Sequence, residues 1–338
     1  MSLRHIVISR TDRIGDVVLT LPLAGALKML LPHPVRITFL GAGYTRAVVA
    51  CCRHVDDFVA WDEIAHDPVA ALKALRADAI FHVFPAKEIA LAALRAGIPL
   101  RVGTRNRWFH WLTCNRLLAL SRRTSDLHES QLNLKFLESF GIQRSFSLDE
   151  IYSFQGLRPL RVSLPEEQFW LDPSRFNVIL HPKSKGSTRE WPLSYFTRLA
   201  ELLPPERFQV FITGTKSEGN ACRALLERNF PHVRDVTGRF SLEQFIEFIA
   251  AADGLVAVGT GPVHLAAGLG CFTIGLFPPL RPIHPGRWQP VGPNVQVIVG
   301  RETCTGCPPT SGCPCMNAIT PQHVAAYLEK AYDAQIPG

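Results

Sequence analysis

The sequence lacks the features that mark secreted and low-complexity chains. Residues 1–10 contain no apolar segment of about 7 to 15 residues followed by a small-residue cleavage site, so no secretory signal peptide is predicted. No internal repeat or low-complexity tract occurs in the 338 residues. Without a secretion signal, the nine cysteines do not predict a disulfide framework. We therefore expect a cytoplasmic protein whose 47% hydrophobic content forms a sizeable core.

Long uncharged runs are also scarce. The exception, residues 254–277, is long enough for a membrane span of about 20 residues. Glycines interrupt it, and Pro262 follows Gly261 in its first half. This pattern predicts a strand, a turn, a short helix and a second strand, buried in a parallel sheet and not in lipid.

Acidic residues are outnumbered, with 29 Asp and Glu against 36 Lys and Arg, which gives a formal net charge of +7. An excess of positive charge favours an anionic partner. A nucleotide, a phosphorylated lipid surface and a nucleic acid all satisfy that condition.

Strand and helix patterns alternate along the chain and are interrupted by a proline-rich segment at residues 155–173. The alternation predicts an α/β protein with doubly wound parallel sheets, and the length allows about two domains. We predict a first domain at 1–160, a second at 174–320 and a closing helix at 321–335. Ligands of such sheets bind at the carboxyl ends of the strands, so we expect the two domains to face each other across a cleft.

The segment VAVGTGPVHLAAGLG predicts a buried strand, a tight turn and a helix with proline in its first turn. Backbone N–H groups at the helix start, the Thr260 hydroxyl and the bare backbone of Gly261 suit an anion such as a diphosphate. An ordinary tight turn is the alternative. A histidine such as His264, on the apolar face of this helix, is more typical of a core residue than of a phosphate ligand.

A second candidate anion site is HPKSKGSTREWP, which follows the strand pattern NVIL. It combines Lys183, Lys185 and Arg189 with three hydroxyl side chains. Cations and hydroxyl donors stabilise charge that develops on a leaving phosphate oxygen. A solvated basic loop is the alternative.

The segment SRTDRIGD follows the first strand pattern. Asp16 lies at the predicted start of a helix, where the helix dipole favours an ionised carboxylate that can accept a proton from a hydroxyl nucleophile. A helix N-cap is the alternative role. We interpret Asp12 as a solvated charge, and Arg10 or Arg13 as a contact for an acidic acceptor.

Residues 101–123 interleave arginines with Trp108, Phe109 and Trp111. Arginines suit phosphate or carboxylate groups, and aromatic side chains suit a membrane interface. An amphipathic core helix with a solvated basic face is the alternative, and nucleic-acid binding is less favoured.

Four cysteines cluster near the end of the chain, at Cys304, Cys307, Cys313 and Cys315. Two C-x2-C thiols followed by two more can hold a structural zinc or iron ion. A disulfide or free thiols are the alternatives, since the final C-x-C is tighter than a common zinc knuckle.

The motifs GDVVLTLP, HP followed by REWP, GTGPVHLAAGLG and the late CM-AI-V occur in this order over nearly the whole chain. In this combination the chain resembles the ADP-heptose:lipopolysaccharide heptosyltransferases, glycosyltransferase family nine. The resemblance implies a GT-B fold, with the acceptor bound mainly by the first Rossmann-like domain and the nucleotide sugar by the second. It implies a closing helix that packs back on the first domain, inversion at the anomeric carbon, and transfer without a metal cofactor.

The resemblance also implies roles for individual residues. Asp16 matches the catalytic base, and Glu218 matches an acidic residue that binds the donor's ribose or heptose. The donor-binding set is Ser184, Lys185, Arg189, Glu218, Thr260, Gly261 and His264. The acceptor-binding set is Arg13, Arg101, Arg105, Arg107 and His128.

One position departs from the family pattern, because Gly259 stands where an aspartate often precedes Thr-Gly. We expect transfer of a heptose from ADP-heptose to a lipopolysaccharide core or related glycan, by a cytoplasmic protein at the inner face of the membrane, with no nucleic-acid partner. A hexose or modified heptose donor, a protein or small-molecule acceptor, and a non-catalytic nucleotide-binding protein remain alternatives. No Asp-X-Asp motif occurs, in agreement with metal-independent transfer.

Overall fold

Both sheets of the protein are parallel, as the alternation of strands and helices predicts. The computed structural model describes residues 3–165, 171–304, 306 and 312–335. The chain divides into two compact units, residues 1–158 and 159–338. The cleft between the two domains stays a prediction.

The first unit contains a six-stranded sheet in the order β3-β2-β1-β4-β5-β6. Its strands are β1 (His5–Ser9), β2 (Arg36–Gly41), β3 (Asp57–Ala60), β4 (Ala79–His82), β5 (Leu100–Thr104) and β6 (Arg116–Leu118). Both β1 and β4 are buried along their whole length, which is why they appear in the sequence as continuous apolar runs. The edge strand β6 is half exposed and carries Arg116, so its hydrophobic pattern is weak.

Helices connect the strands of the first unit. They are α1 (Ile14–Val18), α2 (Leu21–Leu30), α3 (Arg46–Ala50), α4 (Trp61–Ile64), α5 (Pro68–Ala74), α6 (Lys87–Arg95), α7 (Trp108–Thr113), α8 (Glu129–Leu134) and α9 (Leu148–Gln155). The helix α8 continues directly into a 3-10 helix, Lys135–Phe140.

The second unit contains a six-stranded sheet in the order β12-β11-β10-β7-β8-β9. Its strands are β7 (Phe176–His181), β8 (Phe208–Ile212), β9 (Val233–Asp235), β10 (Gly254–Val258), β11 (Phe272–Phe277) and β12 (Val295–Val299). Its helices are α10 (Leu193–Leu202), α11 (Lys216–Ala221), α12 (Arg223–Leu226), α13 (Leu242–Ala251), α14 (Gly261–Leu269), α15 (Pro285–Trp288), α16 (Pro314–Asn317) and α17 (Pro321–Gln335).

The uncharged stretch 254–277 folds as β10, α14 and β11, as its glycines and proline predict. No helix in the part of the chain that the structure describes is both long and apolar enough to cross a membrane.

The two sheets share one strand order, 3-2-1-4-5-6 counted within each unit. In each sheet, strands are added first on one side of the first strand and then on its other side. The order of winding therefore reverses between β1 and β4 in the first sheet and between β7 and β10 in the second. Such a reversal separates the loops that follow the two strands and opens a crevice at their carboxyl ends. The loops after β1, β7 and β10 are therefore the positions in this fold most suited to ligands.

The closing helix α17 packs against α10 within the second unit, and Val324 and Leu328 belong to the core there. Trp191 is also part of that core, and its indole Nε1 donates to the Ile319 carbonyl at 2.9 Å. The tryptophan of the REWP motif is thus a packing residue. Packing of α17 on the first domain stays a prediction.

Helices α2 and α9 approach closely at Gly25, and this contact supports a stability prediction. A Cβ atom at Gly25 would lie 1.9 Å from the Phe154 carbonyl oxygen, which is backbone and cannot rotate away. We expect Gly25→Ala to destabilise the protein by about 1–3 kcal/mol, the cost of forcing a methyl group into a packed interface. Urea unfolding measures it. Gly312→Ala is the control, because a Cβ atom at Gly312 would lie at an ordinary contact distance, 3.5 Å, from its nearest neighbour, Asn317 Nδ2. An equal loss of stability in both variants would contradict the steric explanation.

Candidate active site

An arginine with three carboxylate partners occupies the loop after β1. The Arg10 side chain is 3% exposed and pairs with Asp12 at 2.8 Å, with Glu129 at 3.0 Å and with Asp16. Burial lowers the pKa of Arg10, but the three carboxylates outweigh burial and raise it above its usual range. The prediction that Asp12 is a solvated charge is wrong, and Arg10 is too buried to contact an acceptor.

Glu129 and Asn133 on α8 complete this group. Glu129 is fully buried and accepts a second ion pair from Arg122 at 2.8 Å. The Asn133 amide oxygen accepts from Arg122 at 2.9 Å, and its amide nitrogen donates to the Leu19 carbonyl at 3.0 Å. We call Arg10, Asp12, Asp16, Arg122, Glu129 and Asn133 the Arg10 cluster. It fixes the loop after β1 to α8.

Asp16 lies in the first turn of α1, whose N-cap is Arg13, so Asp16 is not the N-cap. Its carboxylate is 19% exposed, like that of Asp12, so a substrate can reach it. Burial raises the pKa of Asp16 to about 6, against the opposing charge of Arg10 and with help from Asp12 and Glu129. A carboxylate with that pKa is mostly ionised at pH 7 and basic enough to accept a proton.

The loop after β7 is organised by Glu190, a residue that the sequence did not single out. The Glu190 carboxylate accepts from Ser184 N at 2.9 Å, from Ser184 Oγ at 3.1 Å and from Lys183. Burial raises the pKa of Glu190, but the bonds from Lys183 and Ser184 outweigh burial and leave it below its usual value. The Ser184 hydroxyl is thus already bonded within the loop.

The tip of this loop is a tight turn closed by Ser187 N donating to the Ser184 carbonyl at 3.1 Å. Lys185 and Gly186 both have positive φ, +49° and +74°, and the Lys185 side chain is exposed. The next two hydroxyls, Ser187 Oγ and Thr188 Oγ1, are buried atoms with no hydrogen-bond partner among the described residues. Buried hydroxyls in a basic loop are suited to an anionic ligand.

The loop after β10 leads into α14, whose first turn contains Pro262 as predicted. Thr260 is the N-cap in extended conformation, and its side chain makes no capping bond to the helix. The Thr260 hydroxyl donates instead to the Val258 carbonyl at 3.2 Å. Because β10 and β7 are neighbours, this helix start and the loop of residues 182–190 follow adjacent carboxyl ends of one sheet. His264 is 3% exposed within α14, as the core interpretation expects.

Gly259 lies directly against an aromatic ring. A Cβ atom at Gly259 would lie 2.7 Å from Phe277 Cε1, and Phe277 is fully buried. The aspartate found at this position in the family pattern therefore has no room here unless Phe277 moves.

The other side chains predicted to bind the donor or the acceptor are partly engaged within the protein and partly exposed. Glu218 is part of a helix capping box, where it accepts from Thr215 N at 2.7 Å. The Arg101 guanidinium donates to the Thr113 carbonyl at 2.7 Å, and His128 is a buried N-cap of α8. Arg13, Arg105 and Arg107 are exposed. The binding roles of all of these residues stay predictions.

The cysteine cluster is described only in part, because Cys307 lies outside the described residues. Among the described residues, Cys304 and Cys315 are in no disulfide bond. Burial, followed by hydrogen bonds with and the charges of Cys304 and Cys313, raises the pKa of Cys315 to about 11. Within the described ranges, no group of three or more His, Cys, Asp or Glu side chains is placed to hold a metal ion. A structural zinc or iron stays a prediction.

Known proteins resemble this chain in sequence and in structure. A family model described as glycosyltransferase family 9 (heptosyltransferase) matches residues 115–312. A candidate glycosyltransferase of Haemophilus influenzae is 25% identical over 304 residues, 86% of each chain. Lipopolysaccharide heptosyltransferase 2 of Escherichia coli is 26% identical over 217 residues, 57% of each chain.

The structure of E. coli ADP-heptose lps heptosyltransferase II aligns with a TM-score of 0.78 at 22% identity, covering 98% of this chain and 99% of that chain. This likeness shows the fold, and the GT-B architecture expected from the motifs is confirmed. The family match extends over more than half of the chain. The protein is therefore a glycosyltransferase that belongs to glycosyltransferase family 9.

Proposed function

We propose that this enzyme transfers a heptose from ADP-heptose to a hydroxyl group of a lipopolysaccharide core, with Asp16 as the general base. The observation that carries the proposal is the Asp16 carboxylate, which is partly exposed after β1 and has a pKa of about 6. The relatives named as lipopolysaccharide heptosyltransferases support the substrate class.

The reaction is a single displacement. The acceptor O–H proton moves to the Asp16 carboxylate while the acceptor oxygen forms a bond to the anomeric carbon. The bond from that carbon to the diphosphate oxygen breaks, its electron pair stays on that oxygen, and ADP leaves. One displacement inverts the configuration at the anomeric carbon, and a well-placed general base contributes about 10² to 10⁴ in rate.

The second unit supplies the groups for the diphosphate. The uncapped start of α14, the Ser187 and Thr188 hydroxyls and the Arg189 side chain follow adjacent strands of one sheet. Helix N-termini and cations both stabilise negative charge on phosphate oxygens. In this proposal, the helix start, the two hydroxyls and Arg189 stabilise the negative charge that develops on the leaving diphosphate, so no step requires a metal ion.

The acceptor is proposed to be an anionic glycolipid at the cytoplasmic face of the inner membrane. Arg13, Arg105 and Arg107 are exposed on the first unit and are the proposed contacts for its phosphate or carboxylate groups. Nucleic acid is not a proposed partner.

A thermal-shift panel of ADP, UDP, GDP, CDP and NAD tests the donor. We expect selective stabilisation by ADP, by about 2.7 kcal/mol at 100 times the dissociation constant. A preference for UDP or GDP would retain the transferase and reject ADP-heptose. No shift with any of the five compounds would contradict the nucleotide-sugar site.

The two unpartnered hydroxyls provide a sharper test of the donor loop. Combined Ser187→Ala and Thr188→Val removes no hydrogen bond described within the protein, so the ligand-free protein should keep its unfolding temperature. Loss of hydrogen bonds to a charged phosphate should weaken ADP binding by about ten-fold or more, measured by calorimetry. Thr197→Val on α10 is the control and should bind ADP normally. Unchanged ADP affinity in the double variant would exclude these hydroxyls from the site.

A further inference from the structure

One face of α7 exposes three large apolar side chains. Trp108 is 65% exposed, Trp111 61% and Leu112 71%. Residues spaced by three and four positions lie on the same side of a helix, so these three side chains form one continuous apolar surface.

The opposite face of α7 anchors it to the first unit. Phe109, His110 and Thr113 are buried, and His110 Nδ1 accepts from Thr104 N at 2.9 Å. The indole Nε1 of Trp111 donates to the Arg105 carbonyl at 2.9 Å. The polar atom of that indole is therefore already bonded, and its exposed ring is an apolar surface held in a fixed orientation.

The sequence on both sides of α7 is strongly basic. Between Glu88 and Asp126 the chain has seven arginines and no acidic residue. Arg101 and Arg122 turn inward, to backbone carbonyls and to Glu129. The others are exposed: Arg95, Arg105, Arg107, Arg116 and Arg123. Lys87 on α6 lies over the Trp108 ring at 5.2 Å, which places a further cation beside the apolar face.

We propose that Trp108, Trp111 and Leu112, together with Arg105 and Arg107, dock on the interface of an anionic phospholipid bilayer. Indole rings favour the region of the lipid headgroups, and arginines bind the phosphates there. These three side chains protrude from a six-residue helix. Protruding apolar groups accompanied by cations fit a fluid anionic surface.

This inference deepens the proposed function and rests on it for the lipid-linked acceptor. Docking through α7 would hold the first unit at the membrane where such an acceptor is embedded. Vesicle binding involves neither the donor nor Asp16, so it is measured independently of transfer.

Sedimentation with phosphatidylglycerol vesicles at low salt tests the proposal, with phosphatidylcholine vesicles for comparison. We expect binding to the anionic vesicles only, and weaker binding as salt is raised. Trp108→Gln with Leu112→Gln should reduce the apparent affinity by about ten-fold or more, because two apolar contacts are lost. Arg105→Gln with Arg107→Gln should reduce it by about ten-fold or more and flatten the salt dependence. Met29→Gln, which changes an apolar side chain 55% exposed on α2, should bind as the wild type does.

Several outcomes would overturn the docking surface. The first is that the wild type does not bind anionic vesicles at low salt. The second is that the α7 variants bind these vesicles as well as the wild type does. The third is that the α7 variants dissociate a dimer while vesicle binding is unchanged. The last would show that a second copy covers α7. If ADP still stabilises the protein in any of these cases, the proposed transferase stands and the membrane surface alone is rejected.

Discussion

The Asp16→Asn enzyme is expected to fold normally and to turn over at least about 10²-fold more slowly than the wild type. The amide keeps the shape of the side chain and an oxygen that accepts from Arg10, but it cannot take the acceptor proton. Initial rates with saturating donor measure the loss, and ADP affinity in the variant should be unchanged. Unchanged turnover would remove Asp16 from the mechanism.

Asp12→Asn is the matched control. Asp12 binds the same guanidinium and its side chain is equally exposed, at 19%. Asp12 has no proposed role in proton transfer. The turnover of Asp12→Asn should therefore be at least ten-fold higher than that of Asp16→Asn, because only the latter loses the contribution of a general base. Similar losses in both variants would assign the effect to the Arg10 cluster as a whole.

The pH dependence separates the two carboxylates further. Only ionised Asp16 can act as a base, so kcat/KM should fall as the pH drops through about 6. Asp12 raises the pKa of Asp16, and its removal should therefore move this acidic limb to lower pH. A limb that stays in place in Asp12→Asn would contradict the assignment of the limb to Asp16.

The second large effect is expected on stability. Arg10→Met takes one cationic partner from the fully buried Glu129, which keeps Arg122, and removes the guanidinium that binds Asp12 and Asp16. Breaking a buried ion pair from one side costs about 3–5 kcal/mol, because a charge remains in a poorly solvated position. Urea unfolding at pH 7 measures the loss.

An exposed ion pair and a double variant control this experiment. Arg46→Met removes a pair whose side chains are 48% and 62% exposed, and such pairs contribute about 0.2–1 kcal/mol. Adding Glu129→Gln to Arg10→Met removes the buried carboxylate that has lost its partner Arg10. The double variant should therefore recover part of the lost free energy of unfolding. No recovery would mean that packing around Arg10, and not charge, determines its contribution.

Much of the fold could be predicted because parallel strands in a sheet covered on both sides need continuous apolar runs. The strands β1, β4, β7 and β10 have such runs and lie at the centres of their sheets. The edge strands β6 and β9 were not predicted. They are three residues long and partly exposed, so they lack the pattern that identifies a buried strand.

The candidate site was predicted less completely, for a different reason. Asp16, Thr260 and the basic loop were visible as local motifs after strands. The Arg10 cluster was not, because Glu129 and Asn133 are more than 110 positions away from Arg10 in sequence and join it only through packing of α8. The role of Glu190 could not be predicted either, because the sequence of a basic loop does not show which neighbours a carboxylate within it binds.

The Phe277 ring lies between two glycines. It would contact a Cβ atom at Gly259 or at Gly275 at the same 2.7 Å distance. An aspartate at position 259 thus requires the Phe277 ring to move or a smaller side chain at 277, and the smaller side chain alone would open a cavity over both glycines. Each single change is unfavourable, so positions 259 and 277 should be exchanged together when an aspartate is introduced at 259, and the double variant should be more stable than the variant changed at 259 alone.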